Sequence, residues 1–169
     1  LIPAETSPAQ ILGKISRGDV HQRRVTLIEG LRFSQLRHRL AAEQKLEANA
    51  TRMSEEALVD ALSLEPPTLE GRFFPSTYFF LLGDTDMSIL RRAARKMDQE
   101  LMHAWEQRAP DLLLSEPYQA LILASIIQKE ALLTSEMPRF CGVFHNRLKL
   151  KMRLQTDPTV IFGLGPDFK

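Results

Sequence analysis

Apolar residues recur at helical spacing through most of the chain and give way to a dense aromatic cluster in one place, which predicts several helices and a few short strands. Ser7-Pro8, then Ile11, Leu12 and Ile15, closed by Gly18, predicts a short amphipathic helix with a capping serine, a first-turn proline and a terminating glycine. Val25-Thr26-Leu27-Ile28 reads as a strand and Glu29-Gly30 as the turn after it. Leu31, Phe33, Leu36 and Leu40 suit a helix running to about Lys45. Ser54 caps a further helix through Leu64, which Glu65-Pro66-Pro67 would end. Residues 69–82 are aromatic and turn-rich, predicting short extended pieces. Most of their rings are expected in the core, with Tyr78 showing its hydroxyl to solvent. Asp84 or Thr85 opens a long amphipathic helix to about Arg108, with Ile89, Leu90, Ala93, Met97, Leu101 and Trp105 as a packing stripe.

The next helix, starting at Ser115 and Pro117, differs from the others. Between Tyr118 and Ala124 only Gln119 is strongly polar, and Ile126 and Ile127 extend the apolar run, so the pattern predicts a helix buried on all sides. It runs into Gln128-Lys129-Glu130, which sets an acid at the edge of the core. The partial negative charge at a helix C-terminus and partial burial both disfavour a carboxylate anion. Glu130 is therefore a candidate general acid. The alternative is a surface glutamate neutralised by Lys129 or Arg147. Beyond it, Pro138, Phe140, Val143, Phe144 and Leu148 mark another helix. Residues 149–156 form a polar loop, and Asp157-Pro158 supplies a capping acid and first-turn proline for a last helix ending at Gly163. Mostly helices with a few short strands make the class α+β.

Composition narrows the reading. A chain of 169 residues with 44% apolar content suits one domain, or one domain with a small appendage. Twenty-two basic against twenty-one acidic residues leave a net charge of +1, which gives no electrostatic argument for nucleic acid or an anionic membrane. The basic bunches at Arg23-Arg24, 37–39 and 91–96 read as solvated helix faces. The single cysteine, Cys141, forms no intrachain disulfide and is expected as a small core residue. No apolar run approaches the roughly 20 residues that span a bilayer. The abrupt start at Leu1-Ile2-Pro3 and stop at Asp167-Phe168-Lys169 suggest an excised fragment whose anchor, if there is one, lies elsewhere.

Metal and nucleotide motifs are missing. Histidines 21, 38, 103 and 145 lie at no ligand spacing, and Gly163-x-Gly165 lacks the strand and lysine of a phosphate loop. Ser125 sits inside an apolar helix with no nucleophile-elbow sequence around it. Carboxylate chemistry remains, with no cofactor. After Glu130 come Glu136, Asn146, Arg147, Arg153, Gln155, Thr156 and Asp157, a density of amides, hydroxyls and arginines that suits an acidic amino-sugar polymer. Each has a plainer alternative: Asp157 as a helix cap, and Arg147 in a fold-stabilising pair with Glu136.

Four blocks then stand in order: Glu-Gly-Arg-Phe-Phe-Pro-Ser-Thr-Tyr at 70–78, Ala-Ser-Ile-Ile-Gln-Lys-Glu at 124–130, Val-Phe-His-Asn-Arg-Leu at 143–148 and Met-Arg-Leu-Gln-Thr-Asp-Pro-Thr-Val-Ile-Phe-Gly at 152–163. Together they resemble the YceG-like endolytic murein transglycosylases of bacteria, the MltG family, over nearly the whole chain. The resemblance implies an α+β catalytic domain at 29–169, truncated at its C-terminus, preceded at 1–28 by the tail of a LysM-like subdomain. It implies cleavage of peptidoglycan between N-acetylmuramic acid and N-acetylglucosamine within a strand, leaving an anhydro end. The catalytic residue is then Glu130, acid first and base second. Asn146, Gln155 and Thr156 are expected on sugar hydroxyls and acetamides, and Arg147 or Arg153 on a carboxylate, with Gln128, Asp157 and Tyr78 completing the binding set. Gln128 departs from the glutamate expected at its position. Further implied are an N-terminal anchor placing the domain on the periplasmic side of the inner membrane, and work beside peptidoglycan synthases, the penicillin-binding proteins, with no nucleic-acid partner. Two other readings stay open: a catalytically impaired peptidoglycan-binding scaffold, and a water-using hydrolase with Glu136 or Asp157 as second carboxylate.

Overall fold

The computed structural model describes residues 6–18, 20–64 and 68–165. The expected Glu65-Pro66-Pro67 terminator and the two chain ends lie outside the described residues.

Seven helices and one two-stranded sheet are seen among them. Helix α1 (Pro8–Arg17) begins at Ser7, whose hydroxyl accepts the Gln10 N–H, and ends at left-handed Gly18, as the sequence predicts. No α1 residue is buried. Strand β1 (Arg23–Leu27) pairs antiparallel with β2 (Ser76–Phe80), Val25 opposite Tyr78 and Thr26 opposite Thr77. The period-2 alternation puts Val25, Leu27, Tyr78 and Phe80 on the core face. Thr26 and Thr77 share a hydroxyl hydrogen bond of 3.0 Å on the other. β1, on the N-terminal side of the boundary expected at residue 28, thus enters the same core as the residues after it.

Tyr78 is the first correction. It is only 7% exposed, and its hydroxyl donates to the Phe74 carbonyl at 2.7 Å rather than facing solvent. Burial pushes the phenol up from its ordinary value, with nearby Arg92 opposing.

Helix α2 (Phe33–Ala41) buries Phe33, Leu36 and Leu40 and stops short of the expected Lys45. Its continuation would carry Leu46 away from the core. Instead the chain turns through hydrogen bonds from Glu43 N to Leu40 O and from Leu46 N to Glu43 O, and Leu46 is buried. Helix α3 (Glu55–Leu62) is capped by Ser54, and α4 (Asp86–Glu106) by Thr85. Met87, Ile89, Leu90, Ala93 and Ala94 of α4 complete the core, where the Phe33 and Phe73 rings stack at 5.4 Å.

The tightest polar element of this body is Asp86, 1% exposed. One carboxylate oxygen accepts Asn49 N (2.8 Å), Ala50 N (2.7 Å) and Met87 N (2.8 Å), and the other accepts Thr51 N (2.8 Å). Glu47 N donates to Asp84 O and Asp86 N to Glu47 O, so the 47–51 segment is fastened to the start of α4. Burial alone would raise the Asp86 pKa, but the Thr51, Asn49 and Ala50 N–H groups and the Thr51 side chain together bring it below the ordinary aspartate range.

Helices α5 (Pro117–Glu130), α6 (Met137–Lys149) and α7 (Asp157–Leu164) follow, with a 3₁₀ turn at Thr134–Glu136. Helix α5 packs against α4, α6 and α7. Two further expectations fail here. Cys141 is exposed, since α6 buries Phe144 alone. Helix α7 opens one residue earlier than the sequence suggests, with Thr156 at the cap position and Asp157 as its first residue, where a carboxylate favours the helix dipole. No described helix is long and apolar enough to cross a membrane.

Replacing Asp86 by Ala strands buried N–H groups and is expected to cost about 3 kcal/mol, measured by chemical denaturation. Because the folded pKa is depressed, the carboxylate's contribution is complete above the unfolded aspartate pKa of about 4 and is lost as pH falls through the lower folded value. Acid unfolding of the wild type should show this loss, and the Asp86→Asn protein should not.

Candidate active site

Glu130 is the last residue of α5, and the faces of that helix define what surrounds it. Tyr118, Leu121 and Gln128 fall on one side of a 3.6-residue turn. That side meets the N-terminal body: the Arg72 guanidinium lies 4.5 Å from the Tyr118 ring centroid. A Cβ added at Gly71 would stand 3.7 Å from Leu121 Cδ2, and one at Gly30 3.7 Å from Gln128 Cγ. Both glycines have left-handed φ, +73° and +72°, so it is the backbone geometry that favours glycine at each; the added Cβ would make only ordinary van der Waals contact.

Gln119, Ile122, Leu123 and Ile126 lie on the opposite side and line a groove of about 510 Å³, with Leu113, Leu114, Leu148, Lys149, Lys151 and Leu154 as its other wall. Glu130 is four residues beyond Ile126 and seven beyond Leu123, on this groove side. The two sides of α5 explain a further correction. The helix is apolar nearly all round because it has neighbours on two faces, but only Leu123 is buried. Ala124, Ser125 and Lys129 are exposed and Ile122 is 45% exposed. Full burial of α5 therefore lends nothing to the acid role of Glu130. The residue is half-buried, and among the described residues no hydrogen bond or ion pair engages its carboxylate. Ser125 is exposed and donates its hydroxyl to the Ile122 carbonyl at 2.7 Å.

The expected binding residues divide. Gln128 is turned against Gly30, two residues from Glu130 and across the helix from it. Asn146 and Arg147 are on α6 and Asp157 on α7, both packed on α5, with Asn146 and Asp157 exposed. Arg147 donates to the Leu154 carbonyl rather than pairing with Glu136, whose carboxylate accepts Leu133 N at 3.4 Å. Arg153 and Gln155 are exposed. Thr156 is 3% exposed, its hydroxyl directed to that of Thr159 at 3.2 Å. Tyr78 belongs to the sheet core and is not brought to this helix end.

The loop between α6 and α7 owes its shape to two left-handed residues, Lys151 (φ 55°) and Gln155 (φ 52°). At Lys151 the reason is visible: Met152 N bonds to Arg147 O and Lys151 N to Leu148 O, the paired bonds of a Schellman end with lysine where glycine is preferred. Among the described residues no three His, Cys, Asp or Glu side chains gather to hold a metal ion.

One acidic residue escaped the sequence reading of the site. Glu70 is half-buried in the turn before β2 and accepts the Phe33 N–H at the start of α2 at 2.8 Å. Burial, with the nearby Glu55 charge, pushes its pKa up against the Phe33 N–H, Arg32 and Lys129, which pull it down. Its place at the head of the first of the four sequence blocks, Glu-Gly-Arg, was the available signal.

Lys151→Gly removes the left-handed penalty and is expected to stabilise the chain by about 0.5–1 kcal/mol, read as a higher denaturant midpoint.

The YceG-like family model matches residues 1–169. An endolytic murein transglycosylase of Bacillus subtilis (strain 168) is 29% identical over 157 residues, covering 83% of this chain and 43% of the relative. One of Streptococcus pneumoniae serotype 2 (strain D39 / NCTC 7466) is 31% identical over 98 residues, 57% of this chain and 17% of that protein. The chain thus spans less than half the length of either. The crystal structure of a yceG-like protein from Listeria monocytogenes has the same fold, with a TM-score of 0.63 at 24% identity over 100% of this chain and 61% of that one. With the family matched from end to end, the chain belongs to the YceG-like family.

Proposed function

We propose that this chain carries the catalytic centre of an endolytic murein transglycosylase, and that Glu130 performs both proton transfers. The observation that carries this reading is the position of Glu130: the last residue of a helix held on its opposite side, set on the groove side, with its carboxylate unengaged. The names of the relatives support peptidoglycan as the substrate.

In this reading Glu130, protonated, gives its hydrogen to the glycosidic oxygen between N-acetylmuramic acid and N-acetylglucosamine, and the bond to the muramic anomeric carbon breaks. The resulting carboxylate takes the proton from the primary hydroxyl of the same muramic ring. That oxygen closes on the anomeric carbon, Glu130 is protonated again, and an anhydro end forms without water. Asn146 and Gln155 are the exposed amides suited to sugar hydroxyls and acetamides, and Arg153 is the exposed cation suited to a lactyl or peptide carboxylate. The left-handed backbone at Gln155 holds that amide at the start of α7. Residues 1–28 are read as the tail of a LysM-like subdomain. The protein would then work on the outer face of the inner membrane, beside peptidoglycan synthases.

Glu130→Gln keeps the size and hydrogen bonding of the side chain and removes the transferable proton. Release of anhydro-muropeptides from purified sacculi is expected to fall about 100-fold or more. Undiminished release by this variant sinks the reading. A wild-type product heavier by one water would instead assign a hydrolase with Glu136 or Asp157 as second carboxylate, and sacculus binding without cleavage would assign an impaired scaffold.

A further inference from the structure

Arg32 stands at the start of α2 and reaches the far end of α7, 129 residues away in the chain. Its backbone is fixed by two neighbouring hydrogen bonds: the Arg32 N–H donates to Gln35 Oε1 at 3.0 Å, and the next N–H, that of Phe33, donates to Glu70 Oε2 at 2.8 Å. From this base the Arg32 Nη2 donates to Ile161 O at 3.2 Å, and the guanidinium lies 5.4 Å from the Phe162 ring centroid. Ile161 O belongs to the last turn of α7, and the Gly165 N–H that would close on it in a regular helix turns instead to Phe162 O at 3.2 Å. Arg32 thus donates to a carbonyl that the helix end leaves open, at the end where the helix dipole favours a cation.

Helix α7 needs such a hold because its own residues bury little. None of its eight residues is buried, and Val160, Ile161, Phe162 and Leu164 are between 42% and 57% exposed. At 1.5 Å per residue the helix is about 12 Å long. Thr156, 3% exposed at the cap position, fixes its start. A rod fixed at one end swings, and a second fixed point near the other end sets its direction. Resting on the proposed role of Gln155 in holding the sugar, we propose that Arg32 is a positioning residue: it clasps the last turn of α7 and, with buried Thr156, sets the direction of that helix and so the place of Gln155, which leads into it. The planar, forked guanidinium suits the two contacts together, since an edge donates to the carbonyl while the delocalised charge lies against the ring. The clasp joins the body built on Phe33 and the sheet to the element that follows the sugar-holding amide.

The test compares the full-length protein with Arg32→Met, Phe162→Leu and the double variant. Arg32→Met keeps the apolar stem and the backbone hydrogen bonds at 32 and 33, so the denaturant midpoint is expected to hold. Amide hydrogen exchange at residues 161–165 should quicken in Arg32→Met, and less in Phe162→Leu, which keeps the bond to Ile161 O. The KM for glycan release should rise about fivefold in Arg32→Met with kcat within about twofold, a loss of sugar binding rather than of the reacting acid. The double variant should match Arg32→Met, since both changes act on one clasp. Exchange at 161–165 left unchanged by Arg32→Met, a fall in kcat with KM unmoved, or losses that multiply in the double variant would overturn the inference. A wild type that releases no glycan product overturns the proposed function instead, and the exchange comparison still decides on Arg32.

Discussion

Helix α5 is held from opposite sides by unlike neighbours, and the candidate site is a consequence of that arrangement. On one side two left-handed glycines let the turns at 30 and 71 come within van der Waals reach of Gln128 and Leu121, and Arg72 stacks over Tyr118. Residues with a Cβ there would strain the left-handed backbone of the turns that meet the helix. On the other side lie α6, α7 and the groove. A helix with contacts on two faces has little freedom to roll. Its terminal carboxylate therefore has a defined direction although the helix itself is far from fully buried.

The body that does the holding is rigid for a different reason. Its core is aliphatic and aromatic, but the placement of the 47–51 segment depends on the Asp86 carboxylate and the N–H groups gathered on it. That segment receives Arg37, whose guanidinium donates to the Thr51 and Met53 carbonyls, and so fixes α2. Helix α2 begins at Phe33, the residue whose N–H is taken by Glu70. A chain of polar contacts thus runs from the start of α4 through α2 to the turn that meets α5.

Most helices and both strands were legible in the sequence because their signals are local. Ser7, Ser54 and Thr85 cap where hydroxyls cap, Gly18 ends a helix, and the alternation at 25–27 and 78–80 matches the buried face of the sheet. What failed depends on how completely neighbours cover a face and on where the folded chain brings a partner. Apolarity around α5 was read as burial, but periodicity reports which faces are apolar and not how completely a partner covers them. The Tyr78 hydroxyl finds its acceptor only once the chain bends at Phe74. Glu70 looks like an ordinary turn residue until Phe33, 37 positions earlier, arrives beside it. Glu130 itself was legible as the acid that ends an apolar helix, but its separation from Gln128 across the helix had to be read from packing.

Chemistry with one carboxylate explains why a helix end suits this role. In a two-carboxylate glycosidase the second group supplies the nucleophile or activates water. Where the nucleophile is the substrate's own hydroxyl, one side chain must reach the leaving oxygen and then that hydroxyl, so its pivot must be fixed while its tip stays free. A loop would free both, and the middle of a helix would wall in the tip. The last residue of a gripped helix has a backbone set by the preceding turn and a side chain whose tip is free, and Glu130, half-buried at the end of α5, occupies that position. Helix-gripping contacts are consequently as much a part of the proposed reaction as the groups that would touch the sugar.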